Sequence, residues 1–244
     1  MILQNASEEA INEDEPLWRY FKTDRFIDFL KTGELYFASA RQFQDRFEGA
    51  TSLLPPGMHI DPRYPLQSEF GEHAFEELRR LTKICCWHRA SFESDAMWQL
   101  YAGDWKGVAI VTTPGRLAAA ASIFRLESHH KGEDLWGGNV KYVNLLRERL
   151  RVDMMRRFWY KHMAFSWERE FRLAISLRLA EESGVHVPEQ GIRVPFIVDF
   201  LVDHIFLGPL LDPVDVKVIR RAASEAGLEE RICVSSLLGT PRYT

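Results

Sequence analysis

The sequence predicts a mixed α+β fold in a single domain. Its 244 residues and 46% hydrophobic content suffice for one sizeable core. Helix-like and strand-like segments do not alternate regularly, and several late strands follow one another with little helix between them, which disfavours a doubly wound parallel sheet. There is no internal repeat, low-complexity tract or convincing domain boundary, so the domain runs over 16–244 behind an acidic tail, 1–15, that can fray.

Taken in order, "PLWRYF" reads as a short strand. "TDRFIDFLKTG" reads as a helix, with Thr23 as N-cap, Phe26, Ile27 and Leu30 as an apolar stripe and Gly33 as the stop. "ELYFAS" is a strand and "ARQFQDRFEG" a turn or short helix. The Pro-rich stretch 50–66 is a surface loop. A helix over 68–81 leads into the buried strand "KICCWH". "SDAMWQLYAG" is a helix with Ser94 as N-cap and Gly103 as stop, and "KGVAIVT" is the next strand. A helix over 114–122 precedes the loop "SHHKGEDLWGGN" and a strand near "VKYV". Residues 144–163 form the longest helix candidate, with Arg147, Arg149, Arg151, Arg156, Arg157 and Lys161 giving it a basic side. A strand over 165–176, a polar loop, strands near "IRVPFIV" and "HIFLG", a helix opened by Asp212 and Pro213, and the strand "RICVSS" complete the chain.

Composition excludes several classes. A net charge of -4 is not that of a general polyanion binder. Cys85, Cys86 and Cys233 make neither a disulfide framework nor a zinc spacing. The acidic start lacks the features of a signal peptide, and no apolar run approaches the roughly 20 residues that span a bilayer. The expected location is the cytoplasm, with no membrane partner. Dinucleotide, P-loop, zinc-protease and nucleophile-elbow motifs are all missing, and the adjacent His129 and His130 are poorly spaced for one metal. Any catalysis must come from dispersed polar residues, with no metal.

Four constellations stand out. Arg19 and Tyr20 open a strand, where the Arg fork either binds a phosphate or carboxylate or packs on an aromatic surface. Asp45 and Glu48, between Phe43 and Phe47, either cap backbone N–H groups or pair with an Arg. Trp98 and Tyr101 share a helix face, in the core or along a cleft. In "FSWEREFRLAIS", alternation places Trp167, Phe171 and Leu173 on one strand face and Glu168, Glu170 and Arg172 on the other. That polar face is a wet edge or a working site, with Arg172 and Lys161 as partners for the carboxylates.

The segments "WRYF", "GELYF", "FQDRFEG", "MWQLYAGDWKGVAI" and "KHMAFSWEREFRL", in this order, resemble a bacterial family known as domain of unknown function 2971. Gln44 and Arg46 stand where that pattern has Asn and Pro, and Glu168 follows Trp167 directly. The order Arg19, then Ser91, Trp98 and Tyr101, then Glu168-Arg169-Glu170 is also similar, more distantly, to the plan of the ADP-ribosyltransferase superfamily. That resemblance implies a split, mostly antiparallel mixed sheet with flanking helices and NAD, as substrate, bound in its cleft. It implies a transferase that modifies a macromolecular acceptor, nucleic acid or protein, in a toxin or phage-defence setting. Glu170 would stabilise the ribosyl cation, Glu168 orient or deprotonate the acceptor, and Arg19 hold the pyrophosphate or ribose edge. Tyr20, Trp98 or Tyr101 would stack on nicotinamide, with Ser91, Lys161 and Arg172 also lining the NAD site. Two alternatives stay open: a non-enzymatic nucleic-acid- or protein-binding domain of the same fold, and a carboxylate-dependent nucleotide or glycoside hydrolase.

Overall fold

The computed structural model describes residues 2–53 and 65–243, with 65–70 described by backbone alone. Most of the loop expected over 50–66 lies outside the described residues. The strands are β1 (Leu3–Asn5), β2 (Leu17–Phe21), β3 (Glu34–Ser39), β4 (Thr82–Arg89), β5 (Val108–Thr112), β6 (Leu135–Asn139), β7 (Lys141–Val143), β8 (Tyr160–His162), β9 (Glu170–Ser176), β10 (Ile192–Pro195), β11 (His204–Leu207) and β12 (Ile232–Val234). The helices are α1 (Thr23–Thr32), α2 (Pro65–Leu81), α3 (Asp95–Tyr101), α4 (Pro114–Ala120), α5 (Arg178–Glu182), α6 (Val198–Leu201) and α7 (Pro213–Glu225).

Among the described residues the main sheet runs β1-β6-β9-β4-β2-β5-β11-β12, with β3 and β10 off this path. Its pairings are antiparallel except β1 with β6 and β11 with β12. The expected class is therefore found: one α+β domain with a mostly antiparallel mixed sheet and flanking helices.

Strand β4 positions the site. One edge pairs with β9 along its length, from Thr82↔Ser176 to His88↔Glu170. The other edge is shared. Ile84 and Lys83 pair with β3, whereas His88 and Arg89 pair with β2. The sheet thus opens at Cys85–Trp87, where neither neighbour continues the ladder. Arg19 fills the gap, its Nη1 donating to Cys86 O at 3.2 Å and its Nη2 to Tyr36 O at 3.3 Å. The guanidinium replaces the missing ladder bonds, as buried carbonyls require.

One face of the sheet carries the main core. Leu17, Phe21, Cys85, Trp87, Phe171 and Leu173 pack there with Phe26 and Phe29 of α1, Leu117 of α4 and Ile219 of α7. The opposite face bears smaller clusters, one around Phe158, Trp159 and Ala174 and another around Trp18, Trp98 and Val111. The polar row of β4 and β9 lies on that second face.

Local signals behave as expected at several ends. Gly33 closes α1 in the left-handed region at φ 68°, its N–H bonding Phe29 O at 2.8 Å. Ser94 caps α3, and Asp212 caps α7 through the N–H groups of Val214 and Asp215. The N-cap of α1 is Lys22 rather than Thr23, whose hydroxyl instead donates to Lys106 O at 3.2 Å.

Three further expectations are corrected. The start of the acidic tail is docked: β1 pairs with β6 and Ala6 is buried. The "LWGGN" stretch is β6 rather than loop, because it pairs with β9 on one side and β1 on the other, and glycine fits beside Leu3. A Cβ at Gly137 would lie 2.6 Å from Leu3 Cδ1. The long helix over 144–163 does not form. That segment is turns, then a 3-10 turn over Arg156–Trp159 and the strand β8. The Asn144 and Asp153 side chains accept backbone N–H groups locally, at Leu146 and at Met155 and Arg156. The segment also bonds to 51–53, through Leu150 N to Thr51 O and Leu53 N to Leu145 O. No helical face remains to gather its arginines.

Candidate active site

Strand β9 begins at Glu170, later than alternation alone suggests. Residues Met163–Glu168 form a 3-10 turn, and Arg169 reverses the chain in the left-handed region at φ 43° and ψ 53°. This pivot explains why Arg169 fits neither strand face. It also swings Trp167 out of the core, where alternation had placed it, leaving it 45% exposed at the rim of a cleft. From Glu170 onward the alternation holds, with Phe171 and Leu173 in the main core and Glu170 and Arg172 on the other face.

That face carries a buried charge cluster. Lys161, delivered by β8, donates to Glu168 and to Glu170 Oε1 at 2.8 Å. Arg172 Nε donates to Glu170 Oε2 at 2.6 Å, and its Nη2 to Glu170 Oε1 at 3.1 Å. Arg172 also grips Glu48 through both Nη atoms, at 2.5 and 3.0 Å, and donates to Phe158 O at 2.6 Å. Every N–H of its guanidinium is therefore spent. Both oxygens of Glu48 accept, the bidentate pattern of an ionised carboxylate. The acids of "FQDRFEG" thus do both things expected of them, since Asp45 Oδ1 caps Phe47 N at 2.9 Å.

Three carboxyl groups, Glu48, Glu168 and Glu170, face two cations, Lys161 and Arg172. Buried charge is costly unless balanced. Burial pushes the Glu48 carboxyl up as well, but its two-pronged pair with Arg172 keeps it ionised, so the imbalance falls on Glu168. Burial, with Glu170 beside it, pushes its carboxyl up to about 8, so it carries a proton at neutral pH and the cluster is electroneutral. Burial also acts against ionised Glu170, but Arg172 and Lys161 overcome it and hold this carboxyl well below the usual range.

A cavity of about 640 Å³ opens above Glu168, Glu170 and Lys161. Aromatic rings line it, among them Trp18, Tyr20, Tyr36, Tyr101, Phe165 and Trp167. Arg19 borders it too, although register puts Arg19 on the core side of the sheet, because the opening between β2 and β3 exposes its half-buried guanidinium. Arg19 has no carboxylate partner among the described residues. Its ring contacts are Phe21 and Trp87, at 5.5 and 5.6 Å.

The structure therefore gathers Glu168, Glu170 and Lys161 at the floor, with Arg19, Tyr20 and Tyr101 on the walls. Three residues expected in the ligand site are placed otherwise. Trp98 has no exposed surface; its Nε1 donates to Glu93 at 2.8 Å and it meets Tyr20 edge-on, so its ring cannot stack on a ligand. Arg172 is fully buried with its donors used, and supports Glu170 rather than touching a ligand. Ser91 lies exposed in the bend after β4, away from the cavity lining. Tyr20 borders the cleft, but its hydroxyl already accepts Ser94 N at 2.9 Å.

His88, Tyr142 and Trp18 were not anticipated. Tyr142 accepts the Glu170 N–H at 2.8 Å, and Trp18, His88 and Glu170 form one row across β2, β4 and β9. The only trace of His88 in the sequence is a titratable residue ending an apolar strand. Among the described residues no three His, Cys, Asp or Glu side chains group to hold a metal, and no helix is long and apolar enough to cross a membrane.

No protein-family model, curated protein or solved structure matches the chain.

Proposed function

We propose that the cleft binds a nucleotide and acts at its glycosidic carbon, with NAD as the substrate in the ADP-ribosyltransferase-like reading of the fold. The observation that carries this is Glu170: an ionised carboxylate on a rigid strand, at the floor of an aromatic-lined cleft of nucleotide size. Breaking the nicotinamide–ribose bond builds positive charge on the ribosyl carbon, and a preorganised carboxylate stabilises it. The exposed rings of Tyr101 and Trp167 offer faces for nicotinamide or adenine. Arg19, free of carboxylates, suits a phosphate.

The pairing of the two carboxyl groups on one ammonium disfavours a glycosidase in which each acts separately. Such enzymes need two carboxyl groups free to act on opposite sides of the sugar. Here Glu168 and Glu170 share the ammonium of Lys161. One carboxylate, Glu170, is left for the reacting carbon, with protonated Glu168 orienting it.

Labelled NAD tests the reading. Wild type incubated with protein and nucleic-acid acceptors should release nicotinamide or transfer label. Glu170→Gln, checked for folding by circular dichroism, should do so at least about a hundredfold more slowly. If wild type neither binds nor consumes NAD across those acceptors, the proposal fails.

A further inference from the structure

We propose that His88 is the general base of the cleft, taking the proton from an oxygen acceptor, a hydroxyl or water, as that oxygen attacks the ribosyl carbon. This deepens the glycosyl-transfer reading and rests on it. The need for a base is plain from the floor of the cleft. Glu168 is protonated at neutrality, Glu170 is held ionised by Lys161 and Arg172 and is therefore a weak base, and the Asp45 Oδ2 atom is sealed from solvent.

His88 Nδ1 lies 2.7 Å from the carbonyl oxygen of Glu168. A carbonyl only accepts, so Nδ1 carries the hydrogen and Nε2 keeps its lone pair. Nε2 has no hydrogen-bond partner among the described residues, yet it is not one of the buried unsatisfied atoms. The atom therefore keeps some exposed surface, in a residue only 9% exposed that borders the cleft. Register sets His88 directly opposite Glu170, so base and carboxylate share one side of the sheet.

The charged groups around the ring agree with this role. Burial and the nearby Arg169 lower the His88 pKa against the pull of the Glu168 carbonyl, which keeps the imidazole neutral. Glu170 on β9 supplies the opposite charge once the ring is protonated, and Lys161 on β8 is already paired with the two glutamates. Trp18, its neighbour on β2, does not titrate.

The step balances. The ribosyl C1′–N bond breaks and nicotinamide leaves with the electron pair, which cancels its ring charge. The acceptor oxygen forms the C1′–O bond, and its proton moves to Nε2 to give an imidazolium that later releases it to water. A guanidinium acceptor does not fit, because a neutral imidazole cannot take its proton.

The test pairs a chemical probe with kinetics. Diethyl pyrocarbonate, which acylates an accessible unprotonated imidazole nitrogen, should modify His88, read by mass spectrometry, with the exposed His129 and His204 as controls for the reagent. A His88 that stays unmodified while those two react overturns the proposal, whatever NAD does. His88→Asn keeps an N–H for the Glu168 carbonyl and lacks the base. It should lower kcat for NAD consumption by about 10²–10⁴-fold with KM little changed. His88→Ala should regain rate with added imidazole. Wild-type turnover that persists unchanged in His88→Asn sinks this role alone. No turnover by wild type sinks the glycosyl-transfer reading, and this role with it.

Discussion

Arg172 and Glu48 form a bidentate ion pair in which neither side chain has exposed surface. The pair joins the turn after β3 to the floor of the cleft, and Arg172 passes the constraint on to Glu170. Removing one partner leaves a buried charge unmatched, at a cost of about 3–5 kcal/mol. Arg172→Met is therefore expected to lose about that much stability in urea denaturation. It should also raise the Glu170 pKa, because its main counter-charge is gone. Loss of under about 1 kcal/mol would contradict the cluster as described.

Stability should depend on pH through Glu168. Folded, its carboxyl keeps its proton to about 8; unfolded, it loses it near the ordinary 4.5. Between those values the folded state binds more protons, so this contribution is complete below the unfolded value and fades as pH rises towards 8. Glu170 acts oppositely, its lowered pKa giving stability that is present above the ordinary carboxylate range and lost in stronger acid. Denaturation midpoints should peak in mild acid and decline towards pH 8, and Glu168→Gln should abolish the decline.

Trp98 and Tyr101 should separate on mutation, although they are neighbours on one short helix. Tyr101→Ala removes a half-exposed cleft ring and should weaken nucleotide binding by about five- to a hundredfold, the range of about 1–3 kcal/mol measured for stacking on a base. Trp98→Phe should leave that affinity within about twofold. It should cost roughly 1–3 kcal/mol of stability by leaving Glu93 short of a buried donor. Calorimetry of binding and of unfolding distinguishes the two; equal losses of affinity would refute the assignment of Trp98 to the core.

Gly137 tests the docking of the N-terminal strand. A Val there drives its Cβ into Leu3 and Leu173, and such overpacking costs about 1–3 kcal/mol. Amide exchange in β1 should accelerate in Gly137→Val. Unchanged protection would mean that β1 does not pack as described.

Much of the site was legible one residue at a time. Period-two alternation placed Glu170 and Arg172 opposite Phe171 and Leu173, because successive side chains on a strand point to opposite faces. It failed at Trp167 because Arg169 leaves the strand geometry, and nothing in "WERE" announces a left-handed residue that is not glycine. Helical spacing put Trp98 and Tyr101 on one face, but the depth at which Trp98 sits depends on Trp18 and Val111, which come from distant strands.

By itself the sequence determined the α+β class, the caps of α3 and α7, the glycine stop of α1, and the choice of charged residues that make the floor of the cleft. These rest on short-range physics: capping hydrogen bonds, steric limits on φ and ψ, and the periods of helix and strand. Only the tertiary structure decided that residues 144–155 bond to Thr51 and Leu53 rather than coil into a helix. It also decided that Arg172 spends every donor inside the protein and that His88 stands across from Glu170. Those outcomes follow from strand register and from the demand that buried charges and carbonyls find partners, and the partners come from segments far apart in the chain.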